Sequence, residues 1–249
     1  MFLEHPYVPA TDIEESHEEH NLRRKVLDKV ETGLDKLFLH EKGIGGLEAI
    51  ADLTIRRKFI DLDIYYHGKC RVNEQQIAKN AFRNRLAKVL KKHKRKKILL
   101  ITHSMGSIVS YDVLTQVIPG IKIDTIITSG SPLGLPIIIK KILIEQHQNI
   151  EKNSKPSTPQ NIKKAWYNFS DLNDKVTMNY NLADDYSANT RGVMPQDIIV
   201  DNNYKYNGQK NPHKVYGYLR SSQMAEVIYN FLRRKENFFS RIIQKTGLM

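Results

Sequence analysis

The apolar positions of this 249-residue chain alternate between helical and strand-like spacing, and that alternation outlines its elements. Leu22, Val26, Val30 and Leu37 recur near the helical period and predict an amphipathic helix over 22–39. Gly43, Gly45 and Gly46 then break the chain in a plain loop, without the Lys-Ser/Thr pair of a phosphate-binding turn. Ala78, Phe82, Leu86 and Val89 predict a helix over 75–90. The short apolar run Ile98-Leu99-Leu100-Ile101, bounded by Thr102, has the length and β-branching of a buried parallel strand. Met105, Ile108, Val109, Val113 and Val117 mark a helix that ends before Pro119-Gly120. Ile123 to Thr128 reads as a second strand, and Pro136 opens a helix with Leu135, Ile138, Ile139, Ile142 and Leu143 on one face. The polar stretch 151–160 predicts a disordered loop. Ala165 to Phe169 and Asp197 to Val200 read as two more strands, and Met224, Val227, Ile228, Phe231 and Leu232 form the cleanest amphipathic helix of the chain. Strands and helices alternating at this spacing predict an α/β fold, a parallel sheet with helices on its faces.

Composition narrows the class. Forty per cent of residues are hydrophobic and 27% charged, a globular balance. The single cysteine, Cys70, excludes an internal disulfide framework and a multi-cysteine zinc site. His17 and His20 stand among Asp12, Glu14, Glu15, Glu18 and Glu19, but in no metal-ligand spacing, so that segment reads as a solvated acidic stretch. No secretory leader opens the sequence and no apolar run reaches the roughly 20 residues of a membrane span, so a cytoplasmic, soluble protein is expected. The net charge of +12 invites an anionic partner. The basic run Lys91–Lys97 lacks the interleaved aromatics of a base-stacking surface, which disfavours nucleic acid.

The informative stretch is Ile98-Leu99-Leu100-Ile101-Thr102-His103-Ser104-Met105-Gly106-Ser107. A strand ends, a serine occupies the turn and a helix begins at once, the context of a nucleophile elbow that lifts a serine Oγ above a sheet. Gly106 supplies the small residue expected two positions after the serine, where strand and helix run close. Thr102 stands where that pattern has its first glycine. The competing reading is an ordinary serine N-cap.

On these residues the chain resembles the α/β-hydrolase superfamily, in particular lipase- and esterase-like members with a His-Ser-Met-Gly elbow. The resemblance spans about residues 55–235. It takes in Ser129-Gly130-Ser131-Pro132 after the next strand, Trp166-Tyr167-Asn168-Phe169-Ser170-Asp171-Leu172-Asn173-Asp174 as the strand and loop that deliver an acid, and Asn211-Pro212-His213-Lys214 ahead of the last helix. It implies an α/β-hydrolase-like, mostly parallel sheet with helices on both faces, and a cofactor- and metal-free serine hydrolase acting on small-molecule or lipid esters. The candidates run in the superfamily order of serine, acid, histidine: Ser104 as nucleophile, Asp174 as acid and His213 as base. Asp171 is the alternative acid, or a residue that caps the loop backbone. His103 is expected to face away from the site in a structural role.

The oxyanion hole is expected to be half-formed. Its first donor is the backbone N–H of Met105, the residue after the nucleophile. The second usually follows an earlier strand, and His67-Gly68 after a candidate short strand at Phe59–Tyr66 is the one contender. The stretch from there to Ser104 holds a single helix and the lysine run, with no room for the usual intervening strand, so the sheet is expected to lack N-terminal strands. The division expected is an N-terminal helical segment, 1–54, on a catalytic core, 55–249. Lys91–Lys97 and Arg233–Lys235 are both expected at the sheet edge remote from Ser104, as a surface for anionic membrane lipid. The alternative function is a catalytically silent α/β-hydrolase fold that binds or scaffolds.

Overall fold

The computed structural model describes residues 78–146, 154–177 and 179–234, together with Lys25, Leu62, Ile64–Tyr66 and Gly68. The expected helix at 22–39, the glycine loop that follows and the 1–54 segment as a whole lie outside the described residues, Lys25 apart.

The elements are α1 (Ala78–Lys92), β1 (Leu99–His103), α2 (Met105–Asp112, continued by a π turn at Val113–Val117), β2 (Ile123–Ser129), α3 (Pro136–Glu145), β3 (Ile162–Ser170), α4 (Leu182–Asp185), β4 (Pro195–Ile199), β5 (Lys205–Tyr206), β6 (Gln209–Lys210), α5 (Val215–Leu219) and α6 (Ser222–Arg233). Strands β1 to β4 form one sheet in the order β1-β2-β3-β4. Every pair in it is parallel, with Leu100 opposite Ile126, Ile126 opposite Trp166 and Trp166 opposite Pro195. All four strand C-termini therefore lie along one edge, and the loops that leave them can share a site. The parallel sheet read from the sequence is the sheet observed.

Because strand side chains alternate sides, successive residues of β2 enter different cores. Ile126 joins Trp166, Ile108, Leu114 and Ile138 in the larger core, where the apolar faces of α1, α2 and α3 close over the sheet. Ile127 joins Phe169, Val200, Tyr218 and Met224 in the smaller one, closed by α5 and α6. Helices thus cover both faces, as expected.

Three expectations need correction. Strand β1 is not buried throughout: Ile101 is exposed, because among the described residues β1 is an edge strand with a partner only in β2. The described residues of the stretch ending at Tyr66 are not extended. Leu62 and Ile64–Tyr66 are helical, and Leu62 and Tyr65 are buried in the larger core. Residues 154–160 are ordered, not a free linker: Ser157 bridges Ser187, Thr158 is fully buried, and the Thr158 amide donates to the Ser187 carbonyl at 2.9 Å. Polar composition suggested solvent there, but the Thr158 amide and the Ser157 hydroxyl find their partners in Ser187, inside the fold.

At the sheet edge remote from Ser104, Lys97 Nζ caps the end of α6 by donating to the carbonyls of Phe231 (2.6 Å) and Arg234 (2.8 Å). Arg234 pairs with Asp124 at 3.0 Å. No helix among the described residues is long and apolar enough to cross a membrane.

Candidate active site

Ser104 sits between β1 and α2 with φ 53° and ψ −133°, in the region that L-residues rarely occupy. An N-cap serine adopts extended backbone and accepts an amide of the first turn; Ser104 does neither, and no side-chain cap bond forms. The neighbouring strand holds the turn, with the Ser104 amide donating to the Ser129 carbonyl (3.0 Å) and Ser129 Oγ to the Thr102 carbonyl (2.9 Å). Buried Thr102 hydrogen-bonds the Ile127 carbonyl and Ser107 Oγ, so the residue in place of the first glycine is accommodated as a polar brace. The steric reading of Gly106 does not hold: a Cβ there would meet nothing within 4 Å.

His213 arrives from the opposite end of the sheet, in the loop between the β5–β6 hairpin and α5. Asn202 grips this loop on both sides of the histidine, its Nδ2 donating to the carbonyls of Pro212 and Lys214. The imidazole Nε2 then lies 3.0 Å from Ser104 Oγ and Nδ1 lies 2.8 Å from Asp174 Oδ2. A carboxylate only accepts, so Nδ1 carries the proton and Nε2 presents its lone pair to the serine hydroxyl.

Asp174 is 1% exposed, in the loop after β3. Its Oδ1 accepts the Val176 amide at 2.9 Å, and its Oδ2 accepts the Tyr218 hydroxyl at 2.8 Å as well as His213. Asp171 is buried without touching His213. Its Oδ1 accepts the Asn173 amide (2.6 Å) and its Oδ2 the Asn202 amide, and burial raises its pKa above the ordinary carboxylate value. Of the two acids read from the sequence, the structure brings Asp174 to the histidine and gives Asp171 the loop backbone.

His103 does not face away from this cluster. Its ring lies 4.7 Å from that of His213, and its Nε2–H donates to the His213 carbonyl at 2.7 Å. Burial and the neighbouring His213 lower its pKa, which favours the neutral ring. Gly130 completes the cluster at φ 54°, where a Cβ would stand 3.1–3.2 Å from His103 Nε2, Asp174 Oδ2 and His213 Nδ1. Met105 is the first residue of α2, so its amide is one of those a helix leaves without an intrahelical acceptor. Gly68 offers no second donor, because its amide closes a turn onto the Ile64 carbonyl at 2.9 Å. His67 lies outside the described residues.

Sequence reasoning missed Tyr218, Asn202 and Gly130. Tyr218 had a signal, since it follows His213 by little more than one helical turn. Asn202 had none, because its partners are backbone carbonyls that no side-chain pattern marks.

Compared with known families, residues 66–209 match the model of the PGAP1-like alpha/beta domain. That span contains Ser104 and Asp174 and ends just before His213. No curated protein and no solved structure matches the chain.

Proposed function

The chain belongs to the PGAP1-like alpha/beta domain family, of the α/β-hydrolase type, and from that footing we propose that it hydrolyses carboxylic esters through Ser104, His213 and Asp174. The observation that carries the reading is the position of His213, 3.0 Å from the Ser104 hydroxyl on one side and 2.8 Å from the Asp174 carboxylate on the other. Ser104 Oγ attacks the ester carbonyl carbon while His213 Nε2 takes the hydroxyl proton. Asp174 holds the ring in the required tautomer and stabilises the imidazolium that forms. The Met105 amide donates to the developing oxyanion. As the tetrahedral intermediate collapses, His213 returns the proton to the departing alkoxide, and the acyl group stays on Ser104. Water, deprotonated by the same imidazole, then releases the acid and restores the serine.

A panel of p-nitrophenyl esters of increasing acyl length tests this, with Ser104→Ala and His213→Ala as controls. Turnover by the native chain, lost about 10⁴-fold or more in both variants, supports the reading; equal rates in all three refute it. The competing reading, a fold that binds without turning over, draws on Gly68, whose engaged amide leaves one oxyanion donor unassigned among the described residues. Loss of one such donor costs about 10²–10³ in rate, so slow turnover is the expected regime.

The basic surface is a second proposal, resting on charge alone. Lys97 and Arg234 are committed to internal contacts, whereas Lys91, Lys92, Lys94, Arg95 and Lys96 are exposed. These would dock on anionic lipid, remote from Ser104, with a reach of about 8 Å at physiological salt. Neutralising Lys94, Arg95 and Lys96 should weaken binding to anionic vesicles and leave hydrolysis of a soluble ester unchanged; intact vesicle binding would refute it.

A further inference from the structure

We infer that Tyr218 is a positioning residue of this site, holding the Asp174 carboxylate in place and sharing its charge with His213. The inference rests on the serine-hydrolase reading above. Two donors converge on one oxygen, Asp174 Oδ2, the Tyr218 hydroxyl and the His213 Nδ1–H each at 2.8 Å. The direction of the first bond is settled locally. The Tyr218 oxygen accepts the Asp171 amide at 3.2 Å, so its single proton is left for Asp174. Burial, and then the Asp174 charge, push the tyrosine pKa well above its ordinary value, so the hydroxyl stays a donor wherever the imidazole titrates.

A side chain that merely filled the core would place its hydroxyl on any spare carbonyl. Tyr218 instead reaches out of the smaller core, where its ring packs with Ile127, Phe169, Val200 and Met224, to an ionisable oxygen already in use. The ring is fully buried and has nowhere to swing. Its element is fixed too: at Gly217 a Cβ would collide with Asn202, the residue that holds both flanks of His213. One short helix, α5, therefore follows the base directly and carries the group that restrains the acid. With Val176 holding Oδ1 and Tyr218 holding Oδ2, the carboxylate cannot turn away as the imidazole charges and discharges.

The chemical consequence has a sign. Hydrogen bonds to a carboxylate spread its charge, so Tyr218 weakens the pull of Asp174 on the imidazolium. Removing only the hydroxyl, Tyr218→Phe, should leave the whole charge to His213 and raise the pH at which its imidazole titrates by about half a unit to one unit. In turnover, kcat should fall about tenfold with KM unchanged, and the acid limb of kcat/KM should move to higher pH.

The decisive readout is the NMR titration of His213 in the full chain, native and Tyr218→Phe, which needs no turnover. An upward displacement supports the inference, and an unchanged midpoint in a folded variant overturns it whether or not the protein cleaves esters. If the variant fails to fold, the native protein still decides. A slowly exchanging Tyr218 hydroxyl proton should shift with the His213 midpoint, and one that ignores it overturns the inference. Absence of ester turnover in the native chain would count against the hydrolase reading alone.

Discussion

His103 donates its Nε2–H to the backbone carbonyl of His213 at 2.7 Å, so the residue immediately before Ser104 holds in place the residue that meets Ser104. The two ends of the site are joined by a bond that involves neither reacting atom. His103→Ala should leave that partly buried carbonyl without its donor, at a cost of about 1–3 kcal/mol in stability. It should also lower kcat by about tenfold while Ser104 itself remains intact. Thermal melts and ester kinetics on the variant check both, and unchanged kcat would show that the loop holds His213 without this bond.

Two glycines separate backbone need from free space. At Gly130 the positive φ strains any side chain, and the three site atoms 3.1–3.2 Å from a would-be Cβ would have to give way to it. Gly130→Ala should lose at least about 1 kcal/mol of stability and most of its turnover. At Gly106, inside the first turn of α2, a Cβ meets nothing within 4 Å. Gly106→Ala should fold at least as well as the native chain, gaining up to about 1 kcal/mol from helix propensity. Equal melting temperatures for the two variants would contradict this division.

The two aspartates of the loop after β3 should separate on substitution. Asp174→Asn presents an amide to His213 Nδ1, favours the wrong tautomer and should cost about 10³–10⁴ in turnover. Asp171→Asn meets the backbone amides of Asn173 and Asn202, so its loss should appear mainly in stability, with turnover reduced far less. Kinetics and melts of both variants test it, and abolition of activity by Asp171→Asn with Asp174→Asn active would reverse the roles.

Much of this was legible in advance. The strands were visible because parallel strands covered on both faces are written in short stretches rich in β-branched and aromatic residues, as at Ile123–Thr128 and Ala165–Phe169. Ser104 was visible because the elbow couples a strand end, a serine and a helix start within a few residues. Asp174 and His213 could be proposed because strand order places their loops on one edge. What stayed hidden has physical causes. The order of residues 154–160 depends on hydrogen bonds to Ser187, thirty residues away in sequence. The exposure of Ile101 follows from the edge position of β1, which no local pattern records. The role of His103 depends on a carbonyl contributed from far along the chain.

A pH-dependent stability term lies away from the site. Asp185 is pushed up to about 6 from an ordinary 3.8, by burial first and then by Asp184 and Asp197. Its folded-state value exceeds its unfolded one, so the native state holds the extra proton below about pH 6, and the associated stability is lost as pH rises through that value. At pH 7.5 the charged carboxylate therefore opposes folding. Asp185→Asn keeps an acceptor for Asn179 and should raise the melting temperature at pH 7.5 by about 2–4 °C, with the gain shrinking toward pH 4. Equal gains at the two pH values would assign the effect to something other than this titration.

A serine activated as a nucleophile by His213 reacts covalently with an electrophilic phosphonate, so labelling reads the role of Ser104 without any choice of substrate. The folded native chain is treated with a fluorophosphonate, and its intact mass and proteolytic peptides are recorded beside Ser104→Ala and His213→Ala. A single adduct is expected, on the peptide that carries Ser104, absent in Ser104→Ala and slowed by orders of magnitude in His213→Ala. A native chain that stays unmodified, or is modified at some other residue, would contradict it.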